Sequence, residues 1–321
     1  MIGFPPNFDG MTDIDLQLDH VAEAAKVIDP VFLNSPQYSD EQLNERLGRR
    51  VLVKIETLNP LRSFKGRGAE YFAAGLEPGT TLVCGTSGNF GQAIAFAARK
   101  RGLRAEIFVR ADISPVKLRR MKALGARVRR VDGEAKVAAA AFAAEAPDRV
   151  FAVDGRDPAI SEGAGTIGLE LAAERGIDTV VLPVGDGALI AGVALWLKAH
   201  TPDVRIIGVG AKSAQAMVTS WRAGEPITVE RANSFAAGIS IRTPERESVR
   251  RLRSLVDDFV LVDDDELRAA MRLGAETLGV VPEPAGAAGL AALTVHDIPG
   301  DLVATVVTGA NADLSVLGMA R

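Results

Sequence analysis

Short runs of β-branched and aliphatic residues alternate along this chain with amphipathic stretches of helical period. This alternation predicts repeated strand–helix units and hence an α/β fold with parallel sheets. The predicted strands are residues 51–55, 81–84, 105–109, 150–153, 179–183, 205–209, 259–262 and 302–307. The predicted helices are residues 14–28, 90–100, 115–124, 134–145, 160–174, 189–198, 265–277 and 286–295.

Glycine and small polar residues cluster in three segments, each of which comes shortly after a predicted strand. These segments are 85–91, 185–192 and 309–313. In parallel sheets, ligands bind beyond the carboxyl ends of the strands, where the first turns of helices offer free N–H groups. Three such loops in one chain predict one shared site for an anionic ligand.

Composition and charge narrow the class of protein. The 321 residues, 47% hydrophobic and 24% charged, suffice for two compact lobes. The net charge of −4 disfavours a nucleic-acid or membrane-surface partner, and no run of about 18 apolar residues could span a bilayer. The single cysteine excludes a disulfide framework, and the N-terminus lacks the basic start and apolar run of a secretory signal. We therefore expect a cytoplasmic protein with a small-molecule ligand, no nucleic acid and no membrane.

A lysine in an apolar, glycine-bracketed setting is the first candidate for chemistry. Lys65 directly follows Phe64 and lies between Pro60 and Gly66, shortly after the predicted strand 51–55. Apolar surroundings push an ammonium group toward its neutral amine, which is the form that condenses with an aldehyde. A solvated lysine at the start of a helix is the other interpretation of this segment alone.

Two of the glycine segments offer groups that bind anions. Residues 86–92 begin a predicted helix and offer short hydroxyl side chains and free backbone amides, which can bind a carboxylate. An ordinary glycine turn with a serine cap is the other interpretation of this segment. Residues 184–192 can cradle a phosphate. They also approach the pattern G-x-G-x-x-G, but Ile190 stands at its sixth position and no acidic residue follows the next strand. A nicotinamide or flavin site is therefore the weaker interpretation.

Taken together, five segments resemble motifs of the fold-type II pyridoxal-phosphate (PLP) enzymes, in the serine/threonine dehydratase branch that also contains serine racemase. The segments are 59–68, 87–92, 185–189, 283–286 and 308–311, in the order of the family, and the resemblance runs from about Asp19 to Asn311. It implies two lobes, each with a mostly parallel sheet flanked by helices, and PLP in the cleft between them. It places the small lobe at residues 66–154 and the large lobe at 1–65 together with 155–321.

The resemblance implies a role for each matching residue. Lys65 would form the Schiff base with PLP and act as base and acid at the α-carbon of the substrate, with Phe64 beside the pyridine ring. Thr308 would face the ring nitrogen, where a neutral hydroxyl favours loss of a β-leaving group over transamination. Asn89 would bond the phenolic oxygen, and Glu283 would either contact the ligands or cap its helix. The implied phosphate ligands are Gly185, Asp186, Gly187, Ala188 and Leu189, and the implied substrate ligands are Thr86, Ser87, Gly88, Asn89, Phe90 and Gly238.

Four positions depart from the commonest pattern of the family. Phe90 replaces a histidine and Ala237 replaces an aspartate, both near the substrate. Asp186 stands where the phosphate loop usually has glycine, so its carboxylate is expected to point away from the phosphate. Gly210 cannot ligate the divalent cation that some members bind, so we expect no metal site.

Residues outside the motifs are assigned structural roles. The three histidines, His20, His200 and His296, are expected on the surface or in packing, which argues against a Ser-His-Asp hydrolase. Cys84 is expected to be a small buried residue at a strand end. The charged run 249–253 is predicted to be solvated surface.

The favoured function is PLP-dependent α,β-elimination from a β-hydroxy amino acid such as L-threonine or L-serine, which yields a 2-oxo acid and ammonia. Ser87 as a second acid/base would instead make a racemase, and a different leaving group would make a β-replacement or threonine-synthase-like enzyme. A non-catalytic binding module would have no reason to keep Lys65. Members of the family are usually dimers, so a homodimer is expected.

Overall fold

The computed structural model describes residues 14–312 of the chain. Within that range the chain forms ten β-strands and twelve α-helices. The strands are β1 Gln37–Tyr38, β2 Arg50–Ile55, β3 Thr81–Gly85, β4 Arg104–Arg110, β5 Arg127–Val131, β6 Arg149–Phe151, β7 Thr179–Pro183, β8 Arg205–Ala211, β9 Asp258–Val262 and β10 Leu302–Val307. The helices are α1 Leu18–Val27, α2 Glu41–Leu47, α3 Lys65–Ala74, α4 Asn89–Lys100, α5 Pro115–Ala123, α6 Ala135–Ala144, α7 Pro158–Leu171, α8 Ala188–His200, α9 Ala216–Ala223, α10 Arg246–Leu255, α11 Asp264–Leu278 and α12 Ala288–Val295.

The strands form two sheets. The larger sheet has the order β1-β2-β10-β7-β8-β9, and every neighbouring pair in it except β1–β2 is parallel. The smaller sheet has the order β5-β4-β3-β6 and is parallel throughout. The predicted α/β fold with two mostly parallel sheets is confirmed. The strands of the smaller sheet all fall within residues 66–154, while the exact boundaries of the lobes stay a prediction.

The pairing of β2 with β10 decides where the motifs meet. Val51 lies opposite Val303 and Ile55 lies opposite Val307. Beyond the ends of these strands the backbones stay together, because Ser63 forms a bridge with Gly309. Segments 59–68 and 308–311 are thus brought to one edge of the larger sheet although they lie at opposite ends of the sequence.

Close contact between helices accounts for the many alanines and glycines. Helices α7 and α8 approach each other so closely that a Cβ on Gly192 would overlap the carbonyl oxygen of Ser161. Ile167 of α7 and Ile190 of α8 belong to the buried core over the larger sheet, together with Val180 of β7. Burial of each such side chain stabilises the fold by about 1.5–3 kcal/mol.

A buried network of charges fixes the helix that begins at Lys65. The guanidinium group of Arg67 forms ion pairs with Glu56 at 2.7 Å and with Glu170 at 2.6 Å, and Lys54 contacts Glu170 at 2.6 Å. Burial opposes the charged guanidinium, but the two carboxylates outweigh it and raise the pKa of Arg67 above its usual value. The first turn of α3 is therefore tied to the strand β2 and to α7.

All eight predicted strands and all eight predicted helices are present; β7 and β10 have the predicted bounds, the others have shifted ends, and six further strands and α-helices were not predicted. For example, α1 begins at Leu18 rather than at residue 14. The unpredicted elements are β1, β5, α2, α3, α9 and α10. Strand β5 has the sequence RVRRV and lies at the edge of the smaller sheet, where arginines can remain in water, so it lacks an apolar pattern.

The prediction that residues 249–253 are solvated is wrong for Val249, Leu252 and the charged residue Arg251. This residue lies on the buried face of α10, and its side chain is 0% exposed. Its guanidinium group forms an ion pair with Asp15 at 2.6 Å and donates to the carbonyl oxygen of Gly155 at 2.9 Å. The prediction failed because a buried cation and a solvated one look alike in sequence until their partners are known.

Across residues 14–312, no helix has the length and apolar character needed to cross a bilayer. The cytoplasmic location and the homodimer stay predictions.

Candidate active site

A cleft opens at the carboxyl ends of strands from both sheets. It is lined by Phe64, Lys65, Gly85, Thr86, Ser87, Asn89, Phe90, Lys117, Asp154, Pro183, Gly185, Asp186, Gly187, Ala188, Leu189, Ala237, Gly238, Ile239, Glu283, Ala285 and Thr308. This set contains every site residue named from the sequence except Gly88, which lies against the side chain of Lys117. The fold thus brings the predicted residues together, and their individual roles toward cofactor and substrate stay predictions.

Lys65 is the first residue of α3, and its side chain is 18% exposed. Its Nζ lies 4.5 Å from the centre of the Phe64 ring and donates a hydrogen bond to the carboxylate of Asp154. The Phe64 N–H donates to the carbonyl oxygen of Thr308 at 3.1 Å. Lys65 is therefore a helix-start lysine that is largely withdrawn from water, and it lines the same cleft as Thr308.

Asn89 is held in place by a chain of polar side chains. Its amide nitrogen donates to Glu283, and its amide oxygen accepts from Asn311 at 3.0 Å. Burial raises the pKa of the Glu283 carboxyl, while Lys117 and Asn89 act in the opposite direction. Glu283 makes no side-chain cap to the helical turn that follows it. The Glu283 side chain therefore does not cap this turn but lines the cleft, and its contact with a ligand stays a prediction.

The segment 185–189 forms a tight turn between β7 and α8. Gly187 has a φ of +90°, which side chains rarely tolerate, and a Cβ on Gly185 would overlap the carbonyl oxygen of Gly238. No side chain caps the first turn of α8, so its N–H groups remain available. Ser248 of α10 holds the turn in place, because its hydroxyl donates to the carbonyl oxygen of Asp186 at 2.5 Å. The turn has the form of an anion-binding loop.

Charged groups of both signs surround the Asp186 side chain. Burial, followed by the negative charge of Asp154, raises the pKa of Asp186 from its usual 3.8 to about 6. Lys136 and Lys65 act in the opposite direction, and Glu245, which pairs with Lys136 at 2.5 Å, adds to the rise. Asp186 can therefore hold a proton in the cleft at mildly acidic pH. Whether its carboxyl points away from a bound phosphate stays a prediction.

Sequence reasoning missed two charged residues of the cleft, Asp154 and Lys117. Asp154 directly follows the predicted strand 150–153, at a strand end where parallel sheets place functional groups, and this signal could have identified it. Its Oδ1 is buried without a hydrogen-bond partner among residues 14–312. Lys117 lies in the first turn of α5 and gave no signal, because its position over Gly88 depends on how α5 packs.

Residues assigned structural roles lie outside the cleft. His20 contacts Glu162 at 3.1 Å, while His200 and His296 contact backbone carbonyl oxygens at 2.9 Å. Cys84 is buried in β3 as predicted, and burial raises the pKa of its thiol well above the usual value. The part of the chain that the structure describes contains no cluster of three or more histidine, cysteine or acidic residues suited to a metal ion.

Comparison with known proteins agrees with this geometry. A sequence model of the family described as "Pyridoxal-phosphate dependent enzyme" matches residues 28–309. The chain belongs to this family. Its cofactor is accordingly PLP.

Three similar proteins indicate the branch of that family. The chain is 33% identical to a biosynthetic L-threonine dehydratase of Pasteurella multocida over 92% of its own length and 59% of that protein. It is also 33% identical to an L-threonine ammonia-lyase of Thermotoga maritima, over 94% of this chain and 77% of that protein. The structure of maize serine racemase superposes with a TM-score of 0.87 at 29% identity, over 94% and 96% of the two chains. These likenesses place the chain in the fold-type II serine/threonine dehydratase branch, although it spans only about three-fifths of the length of the first relative.

The residues of the cleft fit PLP. Lys65 offers an amine, the first turn of α8 offers N–H groups to a phosphate, and Oδ1 of Asp154, buried and without a partner among residues 14–312, offers an acceptor. When bound, PLP supplies an electron sink that stabilises negative charge at the α-carbon of an amino acid. The protein supplies the position of the substrate and the groups that move its protons.

Proposed function

We propose that this PLP-dependent enzyme is an ammonia-lyase that removes water and ammonia from a β-hydroxy amino acid, with L-threonine as the preferred substrate. The observation that carries the proposal is the backbone hydrogen bond from Phe64, the neighbour of Lys65, to Thr308, which brings the lysine and a residue with an uncharged hydroxyl to the same cleft. The names of the curated relatives, an L-threonine dehydratase and an L-threonine ammonia-lyase, support the choice of substrate.

Lys65 is the group that moves the α-proton. Its Nζ lies 4.5 Å from the centre of the Phe64 ring, and the N–H of that same phenylalanine donates to Thr308. Asp154 accepts a hydrogen bond from this amine and so fixes its direction. An amine held in this way can take the α-proton in its neutral form and return it in its charged form.

The departure of the β-hydroxyl requires a proton. Asp186 is suited to supply it, because burial and the neighbouring Asp154 raise its pKa to about 6. When the β-carbon–oxygen bond breaks, the hydroxyl takes this proton and leaves as water, and the electron pair left by the α-proton forms the new carbon–carbon double bond. The enamine that is released then hydrolyses to a 2-oxo acid and ammonia, which balances the water lost.

The wall of the cleft suits a small side chain. Ala237, Gly238 and Ile239 form a short turn that lines the cleft, and Phe90 is buried in the hydrophobic core beside it. Ala237 and Phe90 replace the polar residues common in the family, so the wall favours the methyl group of threonine over the smaller, more polar serine.

The replacement of Lys65 by alanine tests the proposal. The wild-type protein should show the visible absorption of bound PLP and form a 2-oxo acid from L-threonine faster than from L-serine. The variant Lys65→Ala should lose the absorption of the attached cofactor and at least about 1,000-fold in rate. Lys212→Ala, which changes an exposed lysine outside the cleft, should keep both properties. Absorption without 2-oxo acid from either substrate would contradict the elimination.

Racemisation is the second candidate. Ser87 is exposed and lines the cleft, where a hydroxyl could act as a second acid/base. The maize structure that superposes on this chain is named a serine racemase. Chiral analysis of L-serine after incubation separates the two reactions, because a racemase would accumulate D-serine and Ser87→Ala would stop it.

A further inference from the structure

One face of the smaller sheet is covered over only half of its length. In the part of the chain that the structure describes, α6 packs on the carboxyl half of this face, where Val83 and Phe108 form a small core with Ala139. Parallel sheets normally bury both faces. The amino half of this face is open and polar, because alternate residues of each strand share a face. Its side chains are Thr81, Arg104, Glu106, Arg127, Arg129 and Arg149.

These side chains line an open cavity of about 300 Å³. Phe142 of α6 forms its apolar wall, and two guanidinium groups lie against the ring. That of Arg149 is 3.7 Å from the ring centre, and that of Arg129 is 4.3 Å from it. The aromatic ring stabilises each cation, but two like charges held at one ring repel each other. A negative group in the cavity would relieve this repulsion.

Glu106 is shared by two of the arginines and satisfies neither completely. It accepts a hydrogen bond from Nε of Arg129 at 2.7 Å. Its other oxygen lies 3.5 Å from Nη1 of Arg127, which is longer than a usual N–H···O bond. The side chain of Arg127 is 73% exposed at the rim of the cavity. One carboxylate therefore stands between two guanidinium groups that each carry five N–H donors.

The other two arginines each pair with one exposed carboxylate. Arg104 contacts Asp148 at 2.8 Å, and Arg149 contacts Glu145 at 2.8 Å. Water screens such pairs, so they hold their arginines only weakly. Four guanidinium groups thus face three carboxylates, which leaves positive charge in excess. Because carboxylates are already at hand, a ligand must offer more negative charge than a single carboxylate does.

We propose that this cavity binds the phosphate group of a small molecule, with Arg129 and Arg149 as its main ligands and Arg127 at its rim. A phosphate monoester carries about −1.5 to −2 charge at pH 7, and its oxygens match the paired N–H groups of a guanidinium. The site is separate from the catalytic one. Thr81, at the start of β3, lines the cavity, whereas Gly85, at the end of the same strand, lines the catalytic cleft.

The test titrates the PLP-loaded enzyme with phosphates at low ionic strength, followed by calorimetry. Bound PLP keeps the loop after β7 occupied, so that loop does not contribute to the signal. Inorganic phosphate and glycerol 3-phosphate should bind saturably, and acetate should bind at least about 10-fold more weakly, as expected when charge-assisted hydrogen bonds are fewer. Tighter binding of the ester would identify a phosphorylated metabolite as the ligand, and tighter binding of inorganic phosphate would identify the free ion.

Three variants locate the binding. Arg129→Met should raise the dissociation constant of the tighter phosphate by about 10-fold or more, which corresponds to the loss of hydrogen bonds to a charged group. Arg130→Met is the matched control, because it removes the same charge from the opposite face of the same strand and should bind within about 2-fold of the wild type. Arg127→Met changes a largely exposed side chain, so it should keep the wild-type melting temperature and weaken binding about 3-fold.

Three outcomes would overturn the proposal. Equal weakening in Arg129→Met and Arg130→Met would mean that phosphate responds to the general charge of the small lobe and not to the cavity. Equal affinities for acetate and phosphate would contradict the phosphate class of ligand. The lack of saturable binding of either phosphate to the wild-type enzyme would exclude the site itself.

Discussion

Two glycine-rich loops enter the cleft after parallel strands, residues 85–88 after β3 and residues 184–187 after β7, and they differ in what lies behind them. A Cβ on Gly185 would meet the backbone carbonyl of Gly238. On Gly91, at the start of α4, it would meet the side chains of Thr86 at 2.6 Å and Met121 at 2.8 Å. Gly185 therefore packs against backbone and Gly91 packs against side chains, although within the same loops Gly85 meets the backbone of Ala135 and Gly187 meets the side chain of Ser248.

The charges around the two loops differ as well. The loop after β7 carries Asp186, with Asp154 and Glu245 nearby and Lys136 among them. The loop after β3 has Lys117 above it and no carboxylate within hydrogen-bond distance of that ammonium among residues 14–312. With Asp186 itself counted, carboxylates thus outnumber amines around it, whereas the loop after β3 has one charge of each sign beside it, Lys117 and Glu283.

This difference separates a rigid position, Gly185, from an adjustable one, Gly91. Backbone can shift only together with the element that carries it, whereas a side chain such as that of Lys117 can change rotamer at small cost. A cofactor that stays bound suits the rigid loop, and a substrate that enters and leaves in each cycle suits the adjustable loop. The following predictions test this contrast.

The largest effect on stability is expected from Arg251, which bonds the backbone that packs behind the loop after β7. Arg251 donates to the carbonyl oxygens of Gly155 and Arg156 and pairs with Asp15, and Gly155 packs on the carbonyl of Asp186. Arg251→Met should lower the free energy of unfolding by about 3 kcal/mol, at the low end for a buried pair because Asp15 retains contact with water. Urea denaturation measures this loss, and the exposed Arg253→Met is the matched control. A loss equal to that of Arg253→Met would mean that Arg251 does not support the loop.

A methyl group placed on each loop compares them directly. Gly185→Ala overlaps backbone, so we expect the affinity for PLP to fall about 10–100-fold, which corresponds to the usual cost of overpacking. Gly91→Ala meets side chains that can move, so PLP affinity should change less than about 5-fold while the KM for the substrate rises. Equilibrium titration of the cofactor-free variants with PLP gives both affinities. Equal losses in the two variants would remove the distinction between a rigid loop and an adjustable one.

The smallest effect concerns the acidic end and depends on pH. The pKa of Asp186 is raised to about 6 by burial and by Asp154, whereas in the unfolded chain it returns to about 3.8. The folded protein therefore binds the proton more tightly, so the stability that this proton contributes is complete below pH 3.8 and is lost as the pH rises through about 6. Asp186→Asn should stabilise the cofactor-free protein by about 1–2 kcal/mol at pH 8 and by much less at pH 4.

Thermal unfolding at several pH values checks this prediction. The charged groups that face Asp186 are Asp154, Lys136, Lys65 and Glu245, and all of them remain in the variant. A constant difference between variant and wild type from pH 4 to pH 8 would show that Asp186 does not titrate in this range.

The sequence by itself determined the fold class and the place of the site. The alternation of apolar runs with helical periods predicts parallel sheets, and the order of the motifs around Lys65, Ser87, Gly185 and Thr308 identifies the residues that gather at the strand ends. These features are local, since each depends on spacing within a few residues of one strand and one helix. Local spacing is what a sequence displays directly.

Only the tertiary structure decided which charges are buried and what they face. Lys65 meets Asp154 across 89 positions of the chain, and Arg251 meets Asp15 across 236. Lys117 covers Gly88 because α5 packs beside α4, and nothing in its neighbouring residues indicates this. A charged residue is written the same way in the sequence whether its side chain lies in water or pairs with a buried carboxylate. Its role follows from the partner that folding brings near, and that partner is set by the packing of whole elements.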